Sequence, residues 1–575
     1  MKQIFTQSFS KKAVFVLSCL FAVSKASAQG IVTIKPEFFH VDASKGLILI
    51  NTPSPQLLTQ NEALKVLVSG AHQYTLAEPV VSVDTRQAYR VTEGSSTYTA
   101  YFTQIPVLQI STRHQIVDTP SRYANFSLTD AKGTTVQAAM GIEIRGGFSQ
   151  SYPKKSYELT LWTDTVGTSG RDMALLGMRT DNKWNLQALY NDPLRARIKA
   201  ANELWQDMNQ VYYKDMEPSA KSGISLVYTE VFLNDKYQGI YALTERVDRK
   251  QLKLKKYTTK IMGELYKGVD WGMGATTLSA VSGFNNSSTI WDGFEYKEPS
   301  EQTEWQTLHD FVDFVVNSSD ATFYSQYKTR FKLENAVDYF IFLNLMRATD
   351  NTGKNIYIAK YKPNEPYFYV PWDLDGVLGN DWAGQHNTTT NDILTNGLYK
   401  RLMKDTPDSE FRGALAARWS ALRATVLTKE AILTKLKTNN DYLLANNIYE
   451  REHLAWPAYR YNPAEETYPA TWLTSRLAYL DAVFKPTTNA VLGTQGPAQT
   501  VALQLYPNPA SGSLSVEFGT GPYQLSVQNM NGKTLLQTSI ASGRSQVAIQ
   551  SLPAGMYMVR VKSATSTAVQ KLVVN

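Results

Sequence analysis

The stretch LMRATDNTGKNIYIAKYKPNEPYFYVPWDLDGVLGND, Leu345 to Asp381, carries two runs of aromatic and β-branched residues with carboxylates and amides at their ends. NIYIAKY and YFYVPW read as strands and KPNEP between them is turn chemistry, so the spacing predicts a β-hairpin. A hairpin brings its two ends together. Asp350 and Asn355 precede the first strand, and Asp373 and Asp375 follow the second, so the four converge. Clustered carboxylates repel and are costly to desolvate unless a cation lies between them. Oxygen-only ligands favour a hard cation, and Mg²⁺ usually needs only one or two carboxylates together with substrate phosphates. Turns and caps also favour Asp and Asn, so this segment alone leaves a structural role equally open.

Spacing moves the balance. The interval Asp350-x-x-x-x-Asn355 is that of the protein-kinase catalytic loop, where the Asp takes the substrate hydroxyl proton and the Asn holds a metal. A second Asp after an intervening hairpin has the place of the metal-binding Asp of the kinase DFG motif.

Outward from this segment the chain has 575 residues, which suggests about three to four domains at about 150 residues each. With 43% hydrophobic and 19% charged residues it can bury a large core. Its 33 Tyr and 11 Trp suit a polar-ligand surface and a Tyr-rich β protein equally. Residues 1–28 read as a secretory signal: Lys2, Lys11 and Lys12 form the basic region, Ala13 to Val23 is apolar but short for a membrane span, and Ala26-Ser27-Ala28 is a small-residue cleavage site. The only cysteine, Cys19, lies inside that signal, which excludes disulfides and thiolate metal sites from the mature chain. Removing the signal takes four lysines and no acids, lowering the net charge from +7 to +3. No clustered basic stripe suggests nucleic-acid binding. No later segment is apolar enough to span a membrane.

Residues 29–104 read as a small β-rich domain, with GLILINT, ALKVLVSG and VVSVDT as strands. VLQIST, YANFSLTD and AAMGIEIRGG begin a second β region. DPLRARIKAANELWQDM predicts a helix with Asp192 as N-cap and Pro193 at its first position. YTEVFLNDKYQGIYALTE predicts a hairpin turning at Asn234-Asp235. EWQTLHDFVDFVVNSS and KEAILTKLKTNNDYLLANN predict helices, and LENAVDYFIFLNLMRATD, apolar almost all round, predicts a buried one. Residues 486–500 are polar, Pro/Gly-containing and nearly uncharged, as a linker is. Residues 501–575 return to short β runs and predict a β-sandwich.

LYPNPASGSLSVEF (Leu505 to Phe518), SLPAGMYMVRV (Ser551 to Val561) and the closing KLVVN make this last module resemble the type A sorting domain of type IX secretion cargo. Pro507 and Pro509 protect an edge and Gly555 permits a turn before a strand. The resemblance implies the type IX secretion machinery as a partner, passage via the periplasm and outer membrane, and a secreted or cell-surface location.

The centre, roughly residues 105–485, resembles the CotH kinase family of secreted and spore-coat atypical protein kinases. The segments that carry the likeness, in order, are IEIRGGFSQSYPKKSYELTL, KWNLQALYNDPLRARIKAANEL, VFLNDKYQGIYALTERVD, FEYKEP, and NLMRATDNTGKNIYIAKY leading to YFYVPWDLDGVLG. The resemblance implies an α+β, kinase-like fold using ATP and a divalent cation, Mg²⁺ or Mn²⁺, to phosphorylate Ser or Thr. It implies Asp350 as the catalytic Asp, Asp373 as a metal ligand, Asn355 as the second, and Asp375 as a direct or outer ligand. Lys155 is the candidate for neutralising nucleotide phosphates, with Lys154 the alternative. Glu245 is the candidate for orienting that lysine, and Arg197 for reaching phosphate or supporting the site. Each of the last three has a plain structural alternative: a solvated strand lysine, a surface acid, a structural ion pair. Arg145-Gly146-Gly147-Phe148-Ser149 departs from the family's Arg-Gly-Asn/Ser-Ser run, and no Gly-x-Gly-x-x-Gly loop is present. One other function competes, a non-catalytic surface module, whether pseudokinase or adhesin; a glycoside hydrolase using Asp350 and Asp373 as its carboxylate pair is disfavoured, because the adjacent Asn and the Asp-x-Asp-Gly favour a metal. None of the six histidines has a metal or triad spacing.

Overall fold

The structure, a computed structural model, describes residues 23–27, 30–52, 55–59, 62–270, 272–404, 410–485, 503–518, 523–529, 533–540, 543–562 and 567–575. Its fold is α+β, and the chain divides into two units, Met1–Thr487 and Thr488–Asn575. The linker read at 486–500 lies outside the described residues, as does the predicted signal apart from Val23–Ser27 and their strand.

The first unit opens with eight strands: β1 (Val23–Ser27), β2 (Ile31–Ile34), β3 (Phe39–Asp42), β4 (Leu47–Asn51), β5 (Leu64–Ser69), β6 (His72–Val80), β7 (Ala88–Glu93) and β8 (Ser96–Thr103). They form one sheet in the order β1-β2-β5-β6-β7-β8-β4-β3. The unbroken apolar run LILI in β4 has a physical reason. Ile48 and Ile50 enter the core of this sheet, while Leu47 and Leu49 pack with Tyr101 against Phe232 and Tyr237 of the next domain. A strand buried on both faces loses its alternation.

Next come β9 (Val107–Ser111), β10 (Arg122–Thr129), β11 (Thr135–Arg145), β12 (Ser156–Trp162), a small hairpin β13–β14 (Met173–Ala174 and Thr180–Asp181), β15 (Lys183–Gln187), β16 (Leu226–Leu233) and β17 (Lys236–Thr244). All but β13 and β14 close into a seven-stranded barrel ordered β10-β11-β12-β15-β17-β16-β9. Side chains of period two fill it from β11, β12 and β15 with Ile142, Leu159, Trp184 and Leu186. The alternate positions, Glu143, Arg145, Ser156, Glu158, Asn185 and Gln187, lie on the opposite face. The turn between β16 and β17 sits at Asn234 and Asp235, both left-handed (φ 50° and 60°), as a two-residue hairpin requires.

The predicted helix after Asp192 begins later than expected. It spans Arg197–Met208, with Ala196 as a cap that makes no side-chain bond. Asp192 still serves it from a preceding turn, accepting from the Leu194 and Arg197 amides at 3.1 and 2.7 Å.

The second half of the unit is helical around a five-stranded sheet. Its strands are β18 (Glu264–Gly268), β19 (Ile290–Trp291), β20 (Phe294–Glu298), β21 (Ile356–Lys360) and β22 (Tyr367–Pro371), ordered β19-β20-β18-β21-β22. Helices Gln306–Asn317 and Lys429–Ala445 fall where the sequence places them. In helix Leu333–Met346 every residue from Asn335 to Met346 is buried. Asn335 ties that helix to the hairpin, donating to the Tyr369 carbonyl (3.0 Å) and accepting from the Tyr369 amide (2.7 Å). The second unit packs a three-stranded sheet and a four-stranded sheet around Leu514, Val516, Leu525 and Val559.

Candidate functional site

The hairpin β21–β22 pairs Ile356 with Pro371, so Asn355 and Trp372 stand at its open end. Trp372 donates its amide to the Asn355 carbonyl at 3.0 Å. Asn351, which the sequence did not single out, fastens this end: its amide nitrogen donates to the Asn355 and Trp372 carbonyls at 2.6 and 2.8 Å. The helix before it stops at Met346, where Arg347 turns left-handed, and Asp350 sits on the 3₁₀ turn Thr349–Thr352 rather than on the helix itself. Asn355 and Asp373 are both left-handed, at φ 54° and 57°. That conformation is rare for residues with a Cβ.

Asp350, Asn355, Asp373 and Asp375 all line one cleft of about 610 Å³. Its opposite side carries the outward residues of β11, β12 and β15. Burial raises the Asp350 carboxyl above its usual range, Lys354 opposing and Asp373 adding to the rise. Asp375 is pushed up to about 8, first by burial and then by Asp373. It accepts from Asn191 at 2.7 Å and from the Gly376 amide at 2.9 Å. Among the described residues no group of three or more His, Cys, Asp or Glu is gathered closely enough to hold a metal by itself.

Of the two neighbouring lysines, Lys154 lines this cleft and Lys155 does not. Lys155 is outside the lining, its ammonium donating to the Gln150 and Tyr152 carbonyls at 2.7 and 2.5 Å. Lys154 is 1% exposed and donates to Glu452 Oε1 and to the Ile240 carbonyl, both at 2.6 Å. Burial lowers its ammonium to about 8, with Glu452 opposing and Arg195 adding to the fall. Glu452 also accepts from Arg195 Nε at 3.2 Å and the Ile240 amide at 2.9 Å. It reaches that amide over the bare Cα of Gly239: a Cβ there would lie 2.1 Å from Glu452 Oε2, and φ is +83°.

Glu245 does not orient a cleft lysine. It is buried away from the cleft, accepting from Lys221 Nζ (2.7 Å) and the amides of Arg179 and Ser225 (3.0 and 2.9 Å). Arg197 is also outside the lining; its guanidinium is buried on Asp192 at 2.7 Å. Asp192 itself does line the cleft.

Further charges appear that sequence reasoning did not select. Lys267 of β18 lies opposite Glu295 in register, yet Glu295 pairs with Lys297 at 2.8 Å. Lys267, Arg145 and Lys354 all line the cleft, and their side chains make no hydrogen bond or ion pair among the described residues. Arg145 lies over the Trp372 ring at 5.5 Å. Burial lowers the Lys267 ammonium, and Arg145 lowers it further. Asp350 and Asp373 are likewise without a side-chain hydrogen bond or ion pair among the described residues. These cations and carboxylates thus share one cleft with no hydrogen bond or salt bridge between them among the described residues. In the Gly146-Gly147-Phe148 departure, Phe148 is 61% exposed at the cleft, its ring 5.0 Å from Trp382 and edge-on to it.

A barrel and a helical body with such a cleft between them define a two-part α+β domain. Residues 142–480 match the CotH kinase protein family, and over that span, more than half its length, the chain belongs to it. Residues 504–575 match a secretion system C-terminal sorting domain. No curated protein matches the chain. Among the described residues no helix is long and apolar enough to cross a membrane.

Proposed function

We propose that the protein is a secreted kinase that transfers the γ-phosphate of ATP to a Ser or Thr hydroxyl of an extracellular or surface protein, and that the type IX machinery exports it. One observation carries this: Asp350 and Asp373 line a single cleft with Arg145 of the barrel and with Lys267 and Lys354 beside the hairpin, and none of the five makes a side-chain hydrogen bond or ion pair among the described residues. Unpaired charge in a half-buried cleft is costly unless a ligand meets it. A polyphosphate with a divalent cation satisfies both signs at once.

The donor set fits such a cation. Asp373, Asp375 and the side-chain oxygen of Asn355 are all oxygen donors, and too few carboxylates converge to complete a shell without phosphate oxygens. When bound, the cation neutralises the phosphate charge that these carboxylates would otherwise repel. The chain's own residues do the rest. Arg145, Lys267 and Lys354 bind phosphate oxygens. Lys154, set by Glu452, takes the place of the lysine–glutamate pair of protein kinases, which the sequence had sought in Lys155 and Glu245. Asp350, whose carboxyl is shifted toward neutrality by burial, accepts the hydroxyl proton as the acceptor oxygen bonds to phosphorus and the bond to the ADP oxygen breaks.

The test is transfer of γ-labelled phosphate to a casein-type acceptor by the mature chain with Mg²⁺ or Mn²⁺. Label on Ser or Thr supports the proposal. A chain that binds ATP but neither transfers nor hydrolyses it would be a non-catalytic surface module.

A further inference from the structure

The eight-stranded N-terminal sheet contributes no residue to the cleft, whose lining begins at Asp118. It does reach the helix Ile448–Ala455, which carries Glu452, and it reaches it along its whole length. Before the helix, Thr85 Oγ1 donates to the Ala445 carbonyl at 2.6 Å, and the Gln104 amide donates to Asn446 Oδ1 at 2.8 Å. In its first turn Glu450 accepts from the Tyr101 hydroxyl at 2.8 Å. At its end Lys45 Nζ donates to the Leu454 carbonyl at 3.0 Å, and Leu454 and Ala455 pack with Leu47, Leu49 and Tyr101.

This helix has eight residues. Two turns of helix do not hold themselves together in water, so its place is set by what grips it. Its successive side chains serve two bodies. Glu450 goes to the N-terminal sheet, whereas Arg451 and Glu452 go to the barrel, Arg451 to Glu230 through bonds of 2.8 and 2.7 Å and Glu452 to Lys154. The Tyr101 ring lies 5.2 Å from the Arg451 guanidinium.

We infer that the N-terminal sheet is a positioning domain for the cleft: by gripping the helix Ile448–Ala455 it holds the Glu452 carboxylate on Lys154, and so sets the lysine that meets the nucleotide. The contacts of the sheet with this helix lie outside the cleft and reach Lys154 through the helix, while Leu47, Leu49 and Tyr101 also pack directly on Phe232 and Tyr237 of the barrel. This assignment rests on the nucleotide reading of the cleft for its consequence, but its geometry stands without it. Supporting groups of this kind decide whether a site is held or loose.

The test uses the full mature chain with Lys45→Met, Thr85→Val and Tyr101→Phe combined, three changes outside the cleft. Two readouts are needed. The first is acylation of Lys154 by an amine-specific reagent, mapped by peptide mass spectrometry, which requires no nucleotide. The second is ATP affinity with divalent cation beside kcat and Tm. The expected result is faster Lys154 acylation and a loss of ATP affinity of about 5- to 150-fold, the usual span of coupling between linked sites, with a small fall in Tm. Unchanged acylation and affinity beside a lowered Tm would make the contacts purely structural and overturn the inference. If the triple variant does not fold, Tyr101→Phe alone keeps the ring and is judged by the same two readouts. If the unmodified chain binds no ATP, the nucleotide reading falls, while the acylation rates alone still decide whether the sheet positions Lys154.

Discussion

Lys154 Nζ lies 2.6 Å from Glu452 Oε1, and both side chains are sealed from solvent although 298 residues separate them in the chain. The pair joins the barrel to a helix near the end of the domain. Removing one partner of a buried pair costs more than the pair gains, because the other charge is left uncompensated. Glu452→Ala strands both Lys154 and Arg195. We expect a loss of about 3–5 kcal/mol in chemical denaturation. A loss below about 1 kcal/mol, the size of an exposed ion pair, would show that the pair is not the joint described.

The same lysine gives a pH dependence. Its folded ammonium titrates near 8, against 10.5 for the ordinary group, and burial is the main cause. Between those values the unfolded chain binds more protons than the folded one, so stability from this group rises with pH across that window. Below it the full penalty, roughly 3 kcal/mol, is present. Lys154→Met removes the group. Urea denaturation at a series of pH values from 7.5 to 10 should therefore show the wild type gaining on Lys154→Met as pH rises. Parallel curves would contradict the buried, depressed ammonium.

Lys267 and Arg145 are like charges in one cleft that make no side-chain hydrogen bond or ion pair among the described residues, an arrangement that folding alone does not reward. Lys267→Met should leave Tm unchanged or raise it, while ATP affinity falls by about 10- to 150-fold, the worth of a charge-assisted hydrogen bond. Affinity unchanged in calorimetry would remove Lys267 from the phosphate site.

The hairpin and the four residues at its open end were legible because alternation, turn chemistry and the Asp/Asn positions are all local. So was the Asn234-Asp235 turn, whose two left-handed residues need nothing beyond themselves. What failed depends on distance. Lys154 and Lys155 are neighbours, and only the closed barrel decides which one turns inward. Glu452 sits in IYEREHLA, which has the charge density of a surface helix; its burial is imposed by Gly239, Arg195 and Lys154, all more than two hundred residues earlier. Glu245 was the candidate for orienting the lysine, but Lys221 and two amides, all outside its own segment, claim it. Lys267 lacked any local mark, since only the register opposite Glu295 and the Glu295–Lys297 pair reveal that it is free.

Asp350 and Asp373 should separate on substitution. Asp350→Asn keeps the shape of the side chain and removes the proton acceptor. ATP binding should persist while phosphoryl transfer falls by about 10²–10⁴-fold. Asp373→Ala should lose cation-dependent ATP binding and transfer together. If Asp350→Asn abolishes binding and Asp373→Ala spares it, the two roles are reversed.

The central claim is that a cation and a polyphosphate together bridge the free carboxylates and the free cations of the cleft. Calorimetric titration of the mature chain with ATP, once with Mg²⁺ and once with EDTA, tests it most directly. Binding should be strong with Mg²⁺ and weaker by at least about tenfold, or 1.4 kcal/mol, with EDTA, because the carboxylate charge at Asp350 and Asp373 repels bare phosphate. Equal affinity under both conditions would contradict the account.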